Sequence, residues 1–268
     1  MRVKMNVLFL GDVVGSPGRN AIKKALPEFK KKYKLDLVIV NVDNVTHGIG
    51  TTRDKVEELM HYGVDYFTNG DHVYRFKEFL KDLDDKNLPV LRPANYPEVS
   101  PGRGFDVIDL GKLGQVLLIN LMGQVFLRDT LDSPFKKIDE ILEQFKDVKF
   151  AAIIIDFHAE ATSEKKALSY YLDGKVSLIV GTHTHIQTND AMILKRGTGY
   201  ITDLGMVGTK DSILGENINS ILEHYKLKTP HRYTLEEEGK TALNGVFAEI
   251  DSKGITKKIR LVNVDVLS

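Results

Sequence analysis

Three histidines stand at the ends of two apolar runs. His158 closes Asp156-Phe157-His158 after residues 150–155, and His183 and His185 lie in Gly181-Thr182-His183-Thr184-His185 after residues 176–180. Such runs read as buried strands, so the imidazoles are delivered where strands stop and loops begin. His183 and His185 are two residues apart; on an extended segment their side chains point the same way and serve one polar centre. Imidazole is the commonest protein ligand for zinc, iron or manganese. A lone strand-end histidine more often satisfies a backbone carbonyl, but three of the chain's eight histidines at two strand ends favour a metal.

Oxygen ligands occur at the same kind of place. Residues 5–10 lead into Gly11-Asp12, residues 35–40 into Asn41-Val42-Asp43-Asn44, and residues 64–68 into Asn69-Gly70-Asp71-His72. An Asp after one strand is an ordinary turn former, but three such turns alongside the histidines are better explained by convergence on one site. The collected set is Asp12, Asp43, Asn44, Asp71, His72, His158, His183 and His185. It exceeds one tetrahedral zinc site and suits two neighbouring ions, with Asp43 able to bridge them. Two such ions acidify a shared water and clamp the oxygens of an in-line displacement, which is the logic of phosphoester hydrolysis, and an unligated histidine protonates the leaving alkoxide.

The elements that must position these residues follow from periodicity. Helices are expected over residues 20–33 (Ile22, Leu26 and Phe29 inward), 52–62, 75–83, 134–145 (Ile138, Ile141, Leu142 and Phe145 inward) and 212–225. Residues 105–110 and 115–121 read as a hairpin through Gly111 and Gly114, residues 199–202 as a short strand, and residues 244–251 and 255–266 as an antiparallel pair. Early βαβ units followed by mixed and antiparallel strands predict an α/β fold: a four-layer αββα sandwich of two mixed sheets. No repeat or linker divides the chain, so residues 1–268 are expected to form one domain, with an irregular, cap-like segment near 207–241 whose His224 and His231 face solvent.

Composition narrows the partners. Lys+Arg and Asp+Glu both number 37, so no global field favours nucleic acid or an anionic membrane. The absence of cysteine excludes disulfides, thiolate metal sites and cysteine nucleophiles. The glycines at 11, 15 and 18 match neither the dinucleotide fingerprint nor the Walker loop. Residues 1–7 lead into no cleavable leader and no apolar run reaches membrane length, so a cytoplasmic location is expected, with homo-oligomerisation through residues 207–241 an open option.

Taken in order, Gly11-Asp12, Asn41-Val42-Asp43-Asn44, Asn69-Gly70-Asp71-His72, the run from Asp156 through His158, Glu160 and Glu164 to Lys165, and Gly181-Thr182-His183-Thr184-His185 resemble the calcineurin-like metallophosphoesterases, specifically their bacterial YmdB-type branch. Arg92-Pro93-Ala94-Asn95-Tyr96-Pro97 and Asp203-Leu204-Gly205-Met206 extend the likeness along nearly the whole chain. The resemblance implies the calcineurin-like fold and a binuclear centre, loaded with iron or manganese, or else zinc or magnesium, that hydrolyses phosphodiesters, with cyclic nucleotides as the substrate class. It implies Asp12, Asn44 and His185 on one ion, Asp71, His158 and His183 on the other, Asp43 bridging and His72 as general acid. Val14 stands where many relatives carry a ligand histidine, a gap that Asn44 fills. Asp43 replaces the branch's usual Glu, and Asp71 its usual Asn. The extra carboxylate at 71 leaves two divalent ions with one positive charge rather than two, and predicts a preference for ferric iron beside a divalent metal.

Other readings stay open: a binuclear hydrolase of amides or phosphomonoesters, and a catalytically weakened metal- or nucleotide-binding regulator on the same scaffold. His47 is expected at the rim or in solvent, and Glu160 and Glu164 at a helix N-terminus that suits carboxylates. Arg92 and Asn95 either meet the phosphate or pack the site wall.

Overall fold

The computed structural model describes residues 4–230 and 232–266; His231 and residues 1–3, where the charged N-terminal stretch begins, lie outside the described residues. The layers follow from the alternation of strand side chains between two faces. In β1 (Lys4–Val13), Leu8 and Leu10 join Ile22 and Leu26 of α1 (Gly15–Tyr33), while Met5, Val7 and Phe9 face the opposite way. β2 (Leu37–Asn41) divides likewise, Val38 and Val40 from Leu37 and Ile39. Both strands read as continuous apolar runs because both of their faces are covered. α2 (Arg53–His61) and α3 (Phe79–Leu83), which flank β3 (Tyr66–Thr68), complete the outer layer with Val56, Leu59, Phe79 and Leu83.

The second half mirrors this arrangement. After β4 (Phe105–Asp109), β5 (Gln115–Met122) sends Val116 and Leu118 into the core shared with β1 and β2, and Leu117, Ile119 and Leu121 outward. There they meet Ile138 and Ile141 of α4 (Pro134–Gln144) and Leu168 of α5 (Thr162–Tyr171). The result is the expected αββα sandwich of two mixed sheets. The chain continues through β6 (Ala152–His158), β7 (Leu178–Thr182), β8 (Met192–Ile193), β9 (Gly199–Ile201), β10 (Met206–Thr209), α6 (Ile218–Leu227), β11 (Thr241–Asp251) and β12 (Thr256–Val266).

One sheet has the order β12-β11-β10-β1-β2-β3, and β11 also pairs with β1 from Lys4 to Leu10; the other has the order β4-β5-β6-β7-β9-β8. β10, β1, β2 and β3 run parallel, as do β5, β6, β7 and β9. Their C-terminal ends therefore gather at one edge of each sheet, where open α/β sheets bind ligands.

Local boundaries differ from expectation for identifiable reasons. α1 begins at Gly15 rather than Asn20, because Gly15 takes a φ of 56° and Pro17 falls in the first turn, where amides lack intrahelical acceptors. α3 is confined to Phe79–Leu83, the preceding residues forming turns. α6 starts at Ile218 instead of Ser212: Leu214 and Gly215 take φ values of 57° and 98°, and the Asn217 side chain caps the helix by accepting from Ser220 N. β10 falls partly within the segment read as irregular; its four residues are too few to show a period.

Candidate metal centre

The site is built from the ends of the parallel strands. β1 carries a register shift between Leu10 and Asp12, an irregularity that re-aims a side chain at a strand end. Gly11 allows the approach, since a Cβ there would meet Gly205 O at 1.7 Å. The turn after β2 holds Asp43 through its own amide, which donates to Asn41 Oδ1 at 2.9 Å. Asp43 Oδ1 in turn accepts from Gly70 N at 2.6 Å and His72 N at 3.1 Å, docking the turn after β3 onto the turn after β2. Gly70 is required here: a Cβ would lie 2.1 Å from His158 Nε2.

All eight sequence-predicted residues converge. His158 Nε2 lies 3.1 Å from Asp71 Oδ1 and 3.0 Å from His183 Nδ1, and Asp71 Oδ1 is 3.5 Å from His183 Nδ1. On the other side His185 Nε2 lies 3.3 Å from Asn44 Oδ1 and 4.0 Å from Asp12 Oδ1. Between the two groups Asp43 Oδ2 is 3.9 Å from His158 Nε2 and 2.8 Å from His72 Nδ1, and His72 Nε2 is 3.7 Å from Asp71 Oδ2. Among the described residues, Asp71, His158 and His183 form one group able to hold an ion, and Asp43, Asp71 and His72 another.

The extended geometry expected for His183 and His185 is corrected. The two residues take φ values of 100° and 64°, a backbone region uncommon for residues with a side chain. Their rings diverge, His183 presenting Nδ1 to Asp71 and His158, and His185 presenting Nε2 to Asn44 while its Nδ1 meets Leu214 O at 2.9 Å.

The electrostatics show a need for positive charge. Asp12 is fully buried; Oδ2 accepts from His183 N at 3.1 Å, but Oδ1 has no hydrogen-bond partner and faces His158 Nδ1 at 3.8 Å and His185 Nε2. Burial raises its pKa, only partly offset by His185 and His158. An unpaired buried carboxylate oxygen ringed by imidazoles fits a cation. Burial would lower the pKa of His158, yet the bond to Asp71 and the charges of Asp43, Asp12 and Asp71 hold it at about 9. Burial opposes ionisation of Asp71 as well, but His158, His72 and His183 keep its pKa well below the usual carboxylate range. His183 is pushed down to about 4 by burial and the charge on His158, leaving its nitrogens free of extra protons. For His72, burial acts downward and the Asp43 hydrogen bond outweighs it, so its pKa is raised.

Residues given no place in the cluster from sequence support it. Asp156 is fully buried beneath it, its pKa pushed up to about 6 by burial. Glu160 Oε2 lies 3.2 Å from His183 Nε2, beside a candidate ligand, and just ahead of α5, which begins at Thr162. Glu164, in the first turn of α5, accepts from Gln124 N at 2.9 Å. Lys165 is 1% exposed and pairs with buried Asp203 at 2.6 Å; Nζ donates to Thr182 O at 2.8 Å, and Asp203 Oδ2 accepts from Thr184 N at 3.2 Å. A lysine in the first turn of a helix gives no sequence sign of burial. Asp156 did give a signal: two residues before His158 on one strand, it shares the face that His158 presents.

Arg92 and Asn95 are tied to backbone carbonyls. Arg92 donates to Pro93 O at 2.8 Å, and Asn95 Nδ2 to Met122 O at 2.8 Å and Asp132 O at 2.9 Å. His47 is exposed, as expected, and His224 is half-buried, its Nδ1 2.7 Å from Thr229 O.

Fold and strand-end cluster together define a metallophosphoesterase of the calcineurin-like class. More narrowly, the chain belongs to the YmdB-like family, whose model, described as YmdB-like protein, matches residues 8–262. It is 48% identical over 257 residues to a 2',3'-cyclic-nucleotide 2'-phosphodiesterase of Bacillus subtilis (strain 168), covering 95% of this chain and 94% of the relative. Among solved structures it is similar to a novel phosphatase of Mycoplasma pneumoniae, with a TM-score of 0.91, 34% identity and coverage of 99% and 95% of the two chains. A hypothetical protein from Thermus thermophilus gives a TM-score of 0.90 and 37% identity, over 97% of this chain and 99% of that one.

Proposed function

We propose that the protein is a binuclear metal-dependent phosphodiesterase that opens cyclic nucleotides, 2',3'-cyclic nucleotides first among them, as the name of the Bacillus relative suggests. The observation that carries the reading is the fully buried Asp12 Oδ1, without a partner and facing two imidazoles. Asp12, Asn44 and His185 would hold one ion, Asp71, His158 and His183 the other, and Asp43 would bridge. Iron and manganese suit this nitrogen and oxygen set, and three carboxylates favour a ferric ion beside a divalent one. When bound, such a pair supplies an activated water and neutralises charge on the phosphoryl oxygens.

The chain's own residues do the rest. As water attacks phosphorus and the bond to the ribose oxygen breaks, the departing alkoxide needs a proton. His72 suits that role: its side chain is 31% exposed, and its Nδ1 is anchored on Asp43, a partner that favours the protonated ring. We assign the enzyme to the cytoplasm, where nucleotide substrates occur, as one domain whose 207–241 segment caps the site and offers a surface for self-association. No helix of the described residues is long and apolar enough to cross a membrane.

The test is hydrolysis of 2',3'- and 3',5'-cyclic nucleotides before and after chelation, with products followed by phosphorus NMR. The expected result is turnover of at least one class, abolished by chelation and restored by manganese or iron. Metal uptake without hydrolysis of any diester would overturn the enzymatic reading.

A further inference from the structure

Asp156 is no candidate ligand, yet three side chains hydrogen-bond to it, against one each for Asp43 and Asp71. It lies on β6, fully buried, two residues before His158 and on the same strand face. Oδ1 accepts from Thr182 Oγ1 at 2.7 Å; Oδ2 accepts from Thr68 Oγ1 at 2.5 Å and Asn41 Nδ2 at 2.9 Å. These partners come from β7, β3 and β2, so one carboxylate joins strands of both sheets directly below the site.

Two of the arms continue into the cluster. Thr182 donates its only hydroxyl proton to Asp156, so towards His158 Nδ1, at 3.0 Å, it can only accept. That fixes a proton on Nδ1 and leaves Nε2, the nitrogen beside Asp71 and His183, as the one whose lone pair an ion can take. Asn41 gives its amide N–H to Asp156, which turns Oδ1 toward the Asp43 amide at 2.9 Å. The orientation of the Asn41 side chain, and with it the turn that carries Asp43, is set by the same buried charge.

We infer that Asp156 is a positioning residue of the metal centre: through Thr182 it fixes the tautomer and ring orientation of His158, and through Asn41 it fixes Asp43. The inference rests on the metal-centre reading above. Partners that orient metal ligands in this way typically change metal affinity by about 10–100-fold when removed.

The test compares wild type, Thr182→Val and Thr182→Ser, with manganese affinity read by competition against a chromophoric chelator and folding checked by circular dichroism. Thr182→Val, which keeps the side-chain shape but breaks the relay, should weaken binding about 10–100-fold, and Thr182→Ser should bind as wild type does. A second measurement needs no variant: nitrogen NMR of the zinc-loaded wild type should show the His158 proton on Nδ1, protected from exchange. Unchanged affinity in Thr182→Val, or a His158 proton on Nε2 in the zinc-loaded protein, overturns the role of Asp156 and leaves the metal centre standing. A wild type that takes up neither manganese nor zinc overturns the metal-centre reading itself.

Discussion

The proposed reaction turns on one proton, carried by His72. Its raised pKa, set by Asp43 against the effect of burial, keeps the ring protonated at higher pH than an ordinary histidine, the form an acid needs. His72→Asn should lower turnover of a cyclic nucleotide by about 10²–10⁴-fold, and turnover of bis-p-nitrophenyl phosphate far less, because nitrophenolate departs without a proton. The wild-type rate on the nucleotide should also fall as pH rises past the His72 pKa, a limb absent from the variant. Equal losses on both substrates would assign His72 a role other than acid. All eight cluster residues were legible in the sequence because each falls within a few residues of the end of an apolar run. The place of Asp156 on the His158 face could be read from strand alternation, but its partners and the burial of Lys165 could not, since they arrive by folding: Asn41 and Asp156 are 115 residues apart and on different sheets. Spacing also misled for His183 and His185, whose positive φ values no pattern of residue types announces.

At the scale of elements, the loop after β7 has to hold two histidines in uncommon backbone conformations. Lys165 and Asp203, each 1% exposed, fasten that loop at Thr182 O and Thr184 N. Lys165→Met leaves the Asp203 carboxylate buried without its partner, a change that costs about 3–5 kcal/mol. Urea unfolding of the metal-free protein should show a loss of that order, and a loss below about 1 kcal/mol would mean that water reaches the pair. Strands buried on both faces were readable as apolar runs, and the helices as 3.6-residue periods. The start of α1 and the existence of β10 were less so, because a glycine with positive φ and a four-residue strand leave little periodic signal.

For the whole molecule, one sheet gathers the like charges of Asp12, Asp43 and Asp71 at its strand ends, and a proton on His158, carried by the other sheet, offsets them when no ion does. Its pKa of about 9 stands above the ordinary 6.5, so the protonated ring contributes stability that is fully present below about pH 6.5 and is lost as pH rises through about 9. Metal-free protein should therefore lose stability over that interval, and metal uptake near neutral pH should release protons, seen as a binding enthalpy that varies with the ionisation enthalpy of the buffer. A binding enthalpy independent of buffer would contradict a protonated His158. The four-layer architecture was legible from the order of the elements, and the three site carboxylates from the strand ends, whereas the raised pKa of His158 emerges only once Asp12, Asp43 and Asp71 are brought around it. The most direct test of a binuclear phosphodiesterase is the metal content of purified, active protein by mass spectrometry. About two ions per chain, with activity lost as they are removed, is the predicted result; full diesterase activity in protein holding one ion or none would contradict it.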